Sequence, residues 1–329
     1  MQRLLVTGGA GFIGSHLTDA LLDAGHEVVV LDDLSVGKSH NLAHHLGSSR
    51  LKFVEGSVLD AHLVGELISQ VDAVYHLAAV VGVKYILDNP LRGMQVNIKG
   101  TENVLEAAQR TGAKVLVASS SEVYGKSTQV PFKEEDNATL RATTVPRWSY
   151  ALSKMLDEHL AFAYTRQTGL PTVAVRYFNA YGPRLDPKGY GSVIARFITQ
   201  VLRGRPVSVY GDGMQTRSFT YVKDTVRGTI AAMTSDKGVG QAFNIGYPRE
   251  FTIVALAGLV RDVVGTAVDV THIPYERAYG GDFEEARRRC PDVSRARALL
   301  GFEASISLSE GLPVTVQWFK EHRDELNSA

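Results

Sequence analysis

The stretch TGGAGFIGSHL, residues 7–17, joins the apolar run RLLV to a segment with helical patterning, and it decides the fold. Gly9, Gly11 and Gly14 satisfy G-x-G-x-x-G, and Gly8, Gly11 and Gly14 satisfy G-x-x-G-x-x-G. A strand-to-helix turn without Cβ atoms lets backbone N–H groups and the positive end of a helix approach a pyrophosphate. A second apolar run, EVVVLDD, follows and reaches Asp32, eighteen residues beyond Gly14, where a carboxylate can accept the adenosine ribose hydroxyls. The same carboxylate repels a 2′-phosphate, so NAD is expected rather than NADP. Lys38 in SVGKS either softens that preference or faces solvent, and its GKS is no P-loop because Asp32 stands where the first glycine belongs.

Outward from this turn the first half alternates short apolar runs with longer helical patterns. LKFVEG, DAVYHLAA, KVLVASS and TVAVRYFN are apolar throughout, as strands of a parallel sheet covered on both faces are. The expected fold is therefore α/β, a doubly wound parallel sheet of the Rossmann type. A dinucleotide domain is expected over 1–179, with a smaller substrate lobe over 180–329 that returns some segments to the first. Helices are expected near 12–24, 192–203, 253–264 and 309–322, with a long one from about Tyr150 and a short strand at PVSVYG.

With 44% hydrophobic residues among 329, the chain holds enough apolar matter for such a core. Lys plus Arg equals Asp plus Glu at 35, which leaves no overall field for nucleic acid or an anionic membrane. The single cysteine, Cys290, excludes an intrachain disulfide and a thiolate cluster and fits a reducing compartment. The N-terminal run breaks at glycines, so neither a signal peptide nor a spanning helix is expected and the chain reads as cytoplasmic. NAT at 137–139 is then a chance sequon. The ten histidines show no metal spacing, no G-x-S-x-G elbow is present, and RRRC at 287–290 reads first as a solvated charge run.

Two stretches carry chemistry. In RWSYALSK, residues 147–154, Tyr150 and Lys154 fall four apart on one helix face. A phenol titrating near ~10 needs roughly 3 units of depression to act as a base at neutral pH, and an adjacent ammonium acts in that direction. In ASSSEVYG, residues 118–125, Glu122 stands behind three serines at a strand end. Arg217, just past the Gly-rich turn of GDGMQTRSF, is either a surface arginine or an anion clamp.

Gly8-x-x-Gly11-x-x-Gly14, HLAA at 76–79, VNIKGT at 96–101, SSSEVYG, Tyr150-x-x-x-Lys154, RYFNAYGPR and VYGDGMQTRSF occur in that order. Together they resemble the extended short-chain dehydrogenase/reductases, the NAD-dependent nucleotide-sugar epimerase/dehydratase family. The resemblance implies oxidation of a sugar C4 hydroxyl, with Tyr150 as base, Ser120 assisting proton transfer, and Lys154 holding the nicotinamide ribose and lowering the Tyr150 pKa. It places NAD against Gly8, Gly11, Phe12, Ile13, Gly14, Asp32, Asp33, Lys38, Val58, Leu77, Ala78, Ala79, Asn97 and Tyr177. It places the nucleotide sugar, as a UDP sugar, against Tyr85, Asn179, Arg184, Tyr210, Arg217 and Arg289. Ser57 stands where the family commonly has an adenine-contacting aspartate. Long helices at about 97–112 and 150–168 imply, with the resemblance, a homodimer built on a four-helix bundle.

The family's 4,6-dehydratases read Thr-Asp-Glu before VYG, whereas here the middle position is Ser121, so a dehydratase lacks its general acid. Ser-Ser-Glu, with RWSYALSK, GPRLD and RRRCPDV, resembles the UDP-glucuronate decarboxylase branch, with a 4-epimerase as the alternative and an idle NAD-binding regulator further off. Three readings of Glu122 are open: a charge repelling a substrate carboxylate, a proton donor, or a structural acid paired with an arginine.

Overall fold

The structure is a computed structural model that describes residues 1–187, 192–279 and 286–323. Seven parallel strands form its main sheet: β1 (Arg3–Thr7), β2 (Glu27–Asp32), β3 (Leu51–Glu55), β4 (Ala73–His76), β5 (Lys114–Ser120), β6 (Thr172–Tyr177) and β7 (Ala242–Ile245). Their order is β7-β6-β5-β4-β1-β2-β3, so the chain reverses direction across the sheet between β1 and β4. A crevice at the carboxyl ends of the strands opens at such a point, and ligands of open α/β sheets bind there.

The continuous apolar runs are explained by their two faces. Leu4, Val6, Val28 and Val30 enter one core cluster, while Leu5, Val29 and Leu31 enter another on the opposite face. Successive side chains of a strand point to opposite sides, so a strand covered on both sides is apolar at every position. The flanking helices include α1 (Phe12–Asp23), α2 (Ala61–Ile68), α3 (Gly100–Thr111) and α4 (Ser149–Thr168). α3 and α4 end at Gly112 and Gly169, both left-handed at φ 77°, a conformation open to glycine without steric cost.

Beyond residue 180 lie α5 (Val193–Leu202), α6 (Val222–Thr234), α7 (Ile253–Val264) and α8 (Leu308–Glu321). α5, α7 and α8 close a separate apolar core with Val207 and Val209 from the short strand Val207–Tyr210. α6 and β7 return to the first body, where Val222, Val226, Phe243 and Ile245 join its core. Neither of these two elements is foreshadowed by the pattern. β7 has only four residues and carries a polar Asn244 at its centre, and asparagine is poor in strands.

Candidate active site

The dinucleotide turn has the geometry a pyrophosphate requires. Gly8 takes φ +71°, and a Cβ on it would lie 2.8 Å from the Ala78 nitrogen. A Cβ on Gly14 would lie 2.1 Å from the Gly8 carbonyl oxygen, so only glycine lets helix and strand approach this closely. α1 begins at Gly11 without a side-chain cap and without an acid in its first turn, so its leading amides remain available to an anion. Asp32 is buried at the end of β2, where it accepts hydrogen bonds from the amides of Ala10 (2.9 Å) and Leu34 (2.9 Å). Burial, only partly offset by those amides, raises its carboxyl above the ordinary value. The cradle therefore fits NAD. We expect Gly14→Ala to weaken NAD binding at least about tenfold by calorimetry, with the chain still folded.

Around the turn, the other residues expected at the cofactor are mostly engaged by the protein itself. Asp33 is exposed and accepts from Ser35, while Lys38 donates its amide to the Ala10 carbonyl. Leu77 and Ala78 donate their amides to Thr7, and Val58 is buried with its carbonyl on Asn103. Asn97 lies in a π-helical turn over Gln95–Lys99 and clamps the segment after β4 to α4, receiving the Val80 amide (2.8 Å) and donating to Ser153 Oγ (3.0 Å). Tyr177 ends β6 in register with Ser120, its hydroxyl on Thr229.

The catalytic candidates converge at the carboxyl end of β5. Ser120 caps a short 3-10 turn, Ser121–Tyr124, by accepting the Glu122 amide, and it also hydrogen-bonds the Tyr150 phenol. Ser121 is buried. Tyr150 and Lys154 share the first turns of α4. Lys154 is buried and its Nζ lies 3.0 Å from the buried Asp157 carboxylate, one turn further on. In the chain alone, burial first, then the charge of Glu122, push the Tyr150 pKa upward, against the Ser120 hydrogen bond.

Glu122 is held between two guanidiniums. Arg147 reaches it at 3.0 Å and Arg289 at 2.6 Å, and both arginines are buried. Burial alone would raise the Glu122 pKa, but Arg147 and Arg289 outweigh it and hold the carboxyl well below the usual carboxylate range. Glu122 is thus held in its ionised form between the two guanidiniums. The charge run at 287–290 is correspondingly not one solvated face. Arg287 pairs with Asp212 and Arg288 with Glu250 at the surface, whereas Arg289 turns inward.

What carries Arg289 to Glu122 is backbone pairing. Phe132 N–H donates to the Cys290 carbonyl and Asp292 N–H to the Phe132 carbonyl, both at 2.8 Å. Asn244, at the centre of β7, donates to the carbonyls of Phe132 and Asp292 and accepts from the Tyr124 hydroxyl. The polar residue that disguised β7 in the sequence therefore ties together the segments that bear Glu122 and Arg289.

The remaining candidates for the substrate lie mostly on the second lobe. Asn179, in the left-handed region at φ +30°, donates to the Ser218 carbonyl. Arg217 is buried in the short strand Thr216–Ser218, whose end residues donate their amides to the Arg287 and Arg289 carbonyls. Tyr210 packs under the Arg196 guanidinium, and Tyr85 lies in the short helix Val83–Asp88. Arg184 pairs with Asp19 of α1 at 2.8 Å. His44 and His45 also lie 3.0 and 3.3 Å from Asp19, a grouping that sequence spacing does not reveal. Any cation there would compete with the Arg184 guanidinium.

Two residues escaped the sequence reading although signals were present. Arg147 stands three positions before Tyr150, and Asp157 three after Lys154 at the spacing of helical neighbours.

Residues 4–246 match the profile of the NAD dependent epimerase/dehydratase family. The chain belongs to that family. Its cofactor is accordingly NAD. It is 43% identical over 97% of its length, and 98% of the relative's, to a UDP-N-acetyl-alpha-D-glucosaminuronate decarboxylase of Bacillus cytotoxicus. It is 37% identical to a UDP-glucuronic acid decarboxylase 1 of Xenopus tropicalis, over 97% of this chain and 72% of that one. Among solved structures, a UDP-glucuronic acid 4-epimerase of Bacillus cereus in complex with UDP-glucuronic acid and NAD superposes with a TM-score of 0.87 at 32% identity, over 97% and 99% of the two chains.

Proposed function

We propose that this chain is an NAD-dependent decarboxylase of a UDP-linked hexuronic acid, UDP-glucuronate or its 2-acetamido analogue. The observation that carries this is the Glu122–Arg147–Arg289 cluster beside the Ser120–Tyr150 pair. Glu122 already engages both guanidiniums, so the substrate carboxylate is not gripped as a tight ion pair. The two ion pairs support the reading of Glu122 as an acid paired with arginine.

NAD, when bound, supplies the hydride acceptor and a positive ring that favours an ionised phenol. Tyr150 takes the proton of the C4 hydroxyl, with Ser120 in hydrogen-bond contact to stabilise the oxygen. The ketone so formed is β to the C6 carboxylate. The C5–C6 bond breaks, CO₂ leaves, and the electron pair flows into the C4 oxygen as an enolate. A proton then adds at C5 and the hydride returns to C4, so the overall reaction is redox-neutral. Ser121 at the position of a dehydratase acid leaves water loss without a proton donor there.

NMR of the product from each of the two uronates tests this. A UDP-pentose with one CO₂ per turnover is expected; the C4 epimer of the uronate without CO₂ replaces the reading by a 4-epimerase, which the likeness to the Bacillus cereus structure favours as the second possibility.

The same proposal includes a homodimer in the cytoplasm. Leu152 and Leu156, one turn apart on α4, are 40% and 41% exposed, and Leu91 and Met94 nearby in sequence to α3 are 68% and 39% exposed. Such a patch fits a four-helix contact between two copies. Sedimentation is expected to give a dimer at micromolar concentration, and Leu152→Glu with Leu156→Glu is expected to give a folded monomer.

A further inference from the structure

Lys154 is not alone in its burial. Its ammonium is 3.0 Å from Asp157 Oδ2, and the two side chains are 3% and 0% exposed. The Asp157 carboxylate lies against the Thr101 hydroxyl, and that hydroxyl donates to the Asn97 carbonyl (2.7 Å) and lies 3.1 Å from His76 Nε2. His76 in turn meets Thr7, the last residue of β1, at 2.8 Å. A buried chain of polar side chains thus runs from the start of the dinucleotide turn to the catalytic lysine, and Asp157 is the anion of that chain in direct contact with Lys154.

We propose that Asp157 is a positioning residue, which holds the Lys154 ammonium in place and offsets its charge, and thereby sets both the pH range in which Tyr150 serves as base and the preference of the site for oxidised over reduced NAD. The catalytic half of this rests on the decarboxylase reading above; the dinucleotide half does not.

The electrostatics follow from the neighbours. Tyr150 and Glu158 face this pair from α4 itself, Glu122 from the turn after β5, Arg289 from the segment paired with Phe132, and His76 from β4. Glu158 is neutralised by a two-pronged contact with Arg176 (2.9 and 2.7 Å), and Glu122 by its two arginines. His76 is kept neutral, its pKa lowered to about 3 by burial and by Lys154. Among the described residues Asp157 is therefore the nearby acid matched to Lys154. Its charge also disfavours the ionised phenol of Tyr150, after burial and Glu122. Because NAD⁺ carries a positive nicotinamide and NADH does not, removing a nearby negative charge weakens the first relative to the second.

The test compares the full-length wild type with Asp157→Asn. The ratio of the NAD⁺ to the NADH dissociation constant is expected to rise about fivefold or more, and the acid limb of the pH profile of kcat/KM on the uronate substrate to move down by about half a unit or more. Asp157→Glu, which keeps the charge, is expected to restore both. A folded Asp157→Asn chain with the wild-type ratio and the wild-type acid limb overturns the proposal. Should Asp157→Asn not fold, Asp157→Ser, which removes the charge and leaves a hydroxyl beside Lys154, takes its place, and a folded Asp157→Ser chain with the wild-type ratio and acid limb overturns the proposal. If the wild type turns over neither uronate, the decarboxylase reading falls while the dinucleotide ratio still decides the role of Asp157.

Discussion

Tyr150→Phe is expected to retain the fold and NAD while losing at least about 10³-fold in turnover, the middle of the range that a positioned general base contributes. The ring packs with the sheet-facing core and remains in the variant; only the hydroxyl on Ser120 is lost. The step removed is the oxidation at C4, so the absorbance of enzyme-bound NADH should no longer rise when substrate is mixed with the holoenzyme. An epimerase needs the same oxidation, so the result holds for either reaction. Turnover within about tenfold of wild type would show that another group takes the proton. Because the surroundings in the chain alone raise the phenol pKa, the Tyr150 phenol, followed by its ultraviolet difference absorbance against Tyr150→Phe, should titrate at lower pH in the NAD⁺ complex than in the NADH complex.

The second large effect concerns Glu122. Glu122→Gln keeps the shape but removes the carboxylate that Arg147 and Arg289 both contact, and breaking a buried ion pair in this way costs about 3–5 kcal/mol. CO₂ release from the uronate is expected to fall by at least about tenfold, because the guanidiniums lose the carboxylate that aims them. The pH dependence has a definite sign. The folded-state pKa of Glu122 is depressed, so its stabilisation is complete above the ordinary glutamate range near ~4.3 and is lost as pH falls through the folded value. Urea midpoints of wild type and Glu122→Gln should therefore differ at pH 7 and approach one another under acid. Equal midpoints at both pH values would mean that the pair contributes nothing to stability. Unchanged CO₂ release in a folded variant would remove the cluster from the mechanism.

The sequence by itself determined six of the seven strands of the sheet, the dinucleotide turn and the Tyr150–Lys154 spacing. Glycines at 8, 11 and 14, Asp32 at the end of the next strand, and Tyr150 four residues before Lys154 are local facts, set by periodicity and by close approaches within one strand-turn-helix unit. Apolar runs reported strands covered on both faces because that covering acts on every residue of the run. Only the tertiary structure decided what Glu122 touches. Arg147 lies 25 residues away from it and Arg289 167, and RRRC has the same composition whether its arginines face water or a buried acid. Which of the three turns inward follows from Phe132 pairing with the segment around Pro291, held by Asn244 on a four-residue strand with no pattern to announce it. Periodicity records which face of an element is apolar; it holds no record of which distant segments meet, and the charge, protonation and role of a buried acid depend on that meeting.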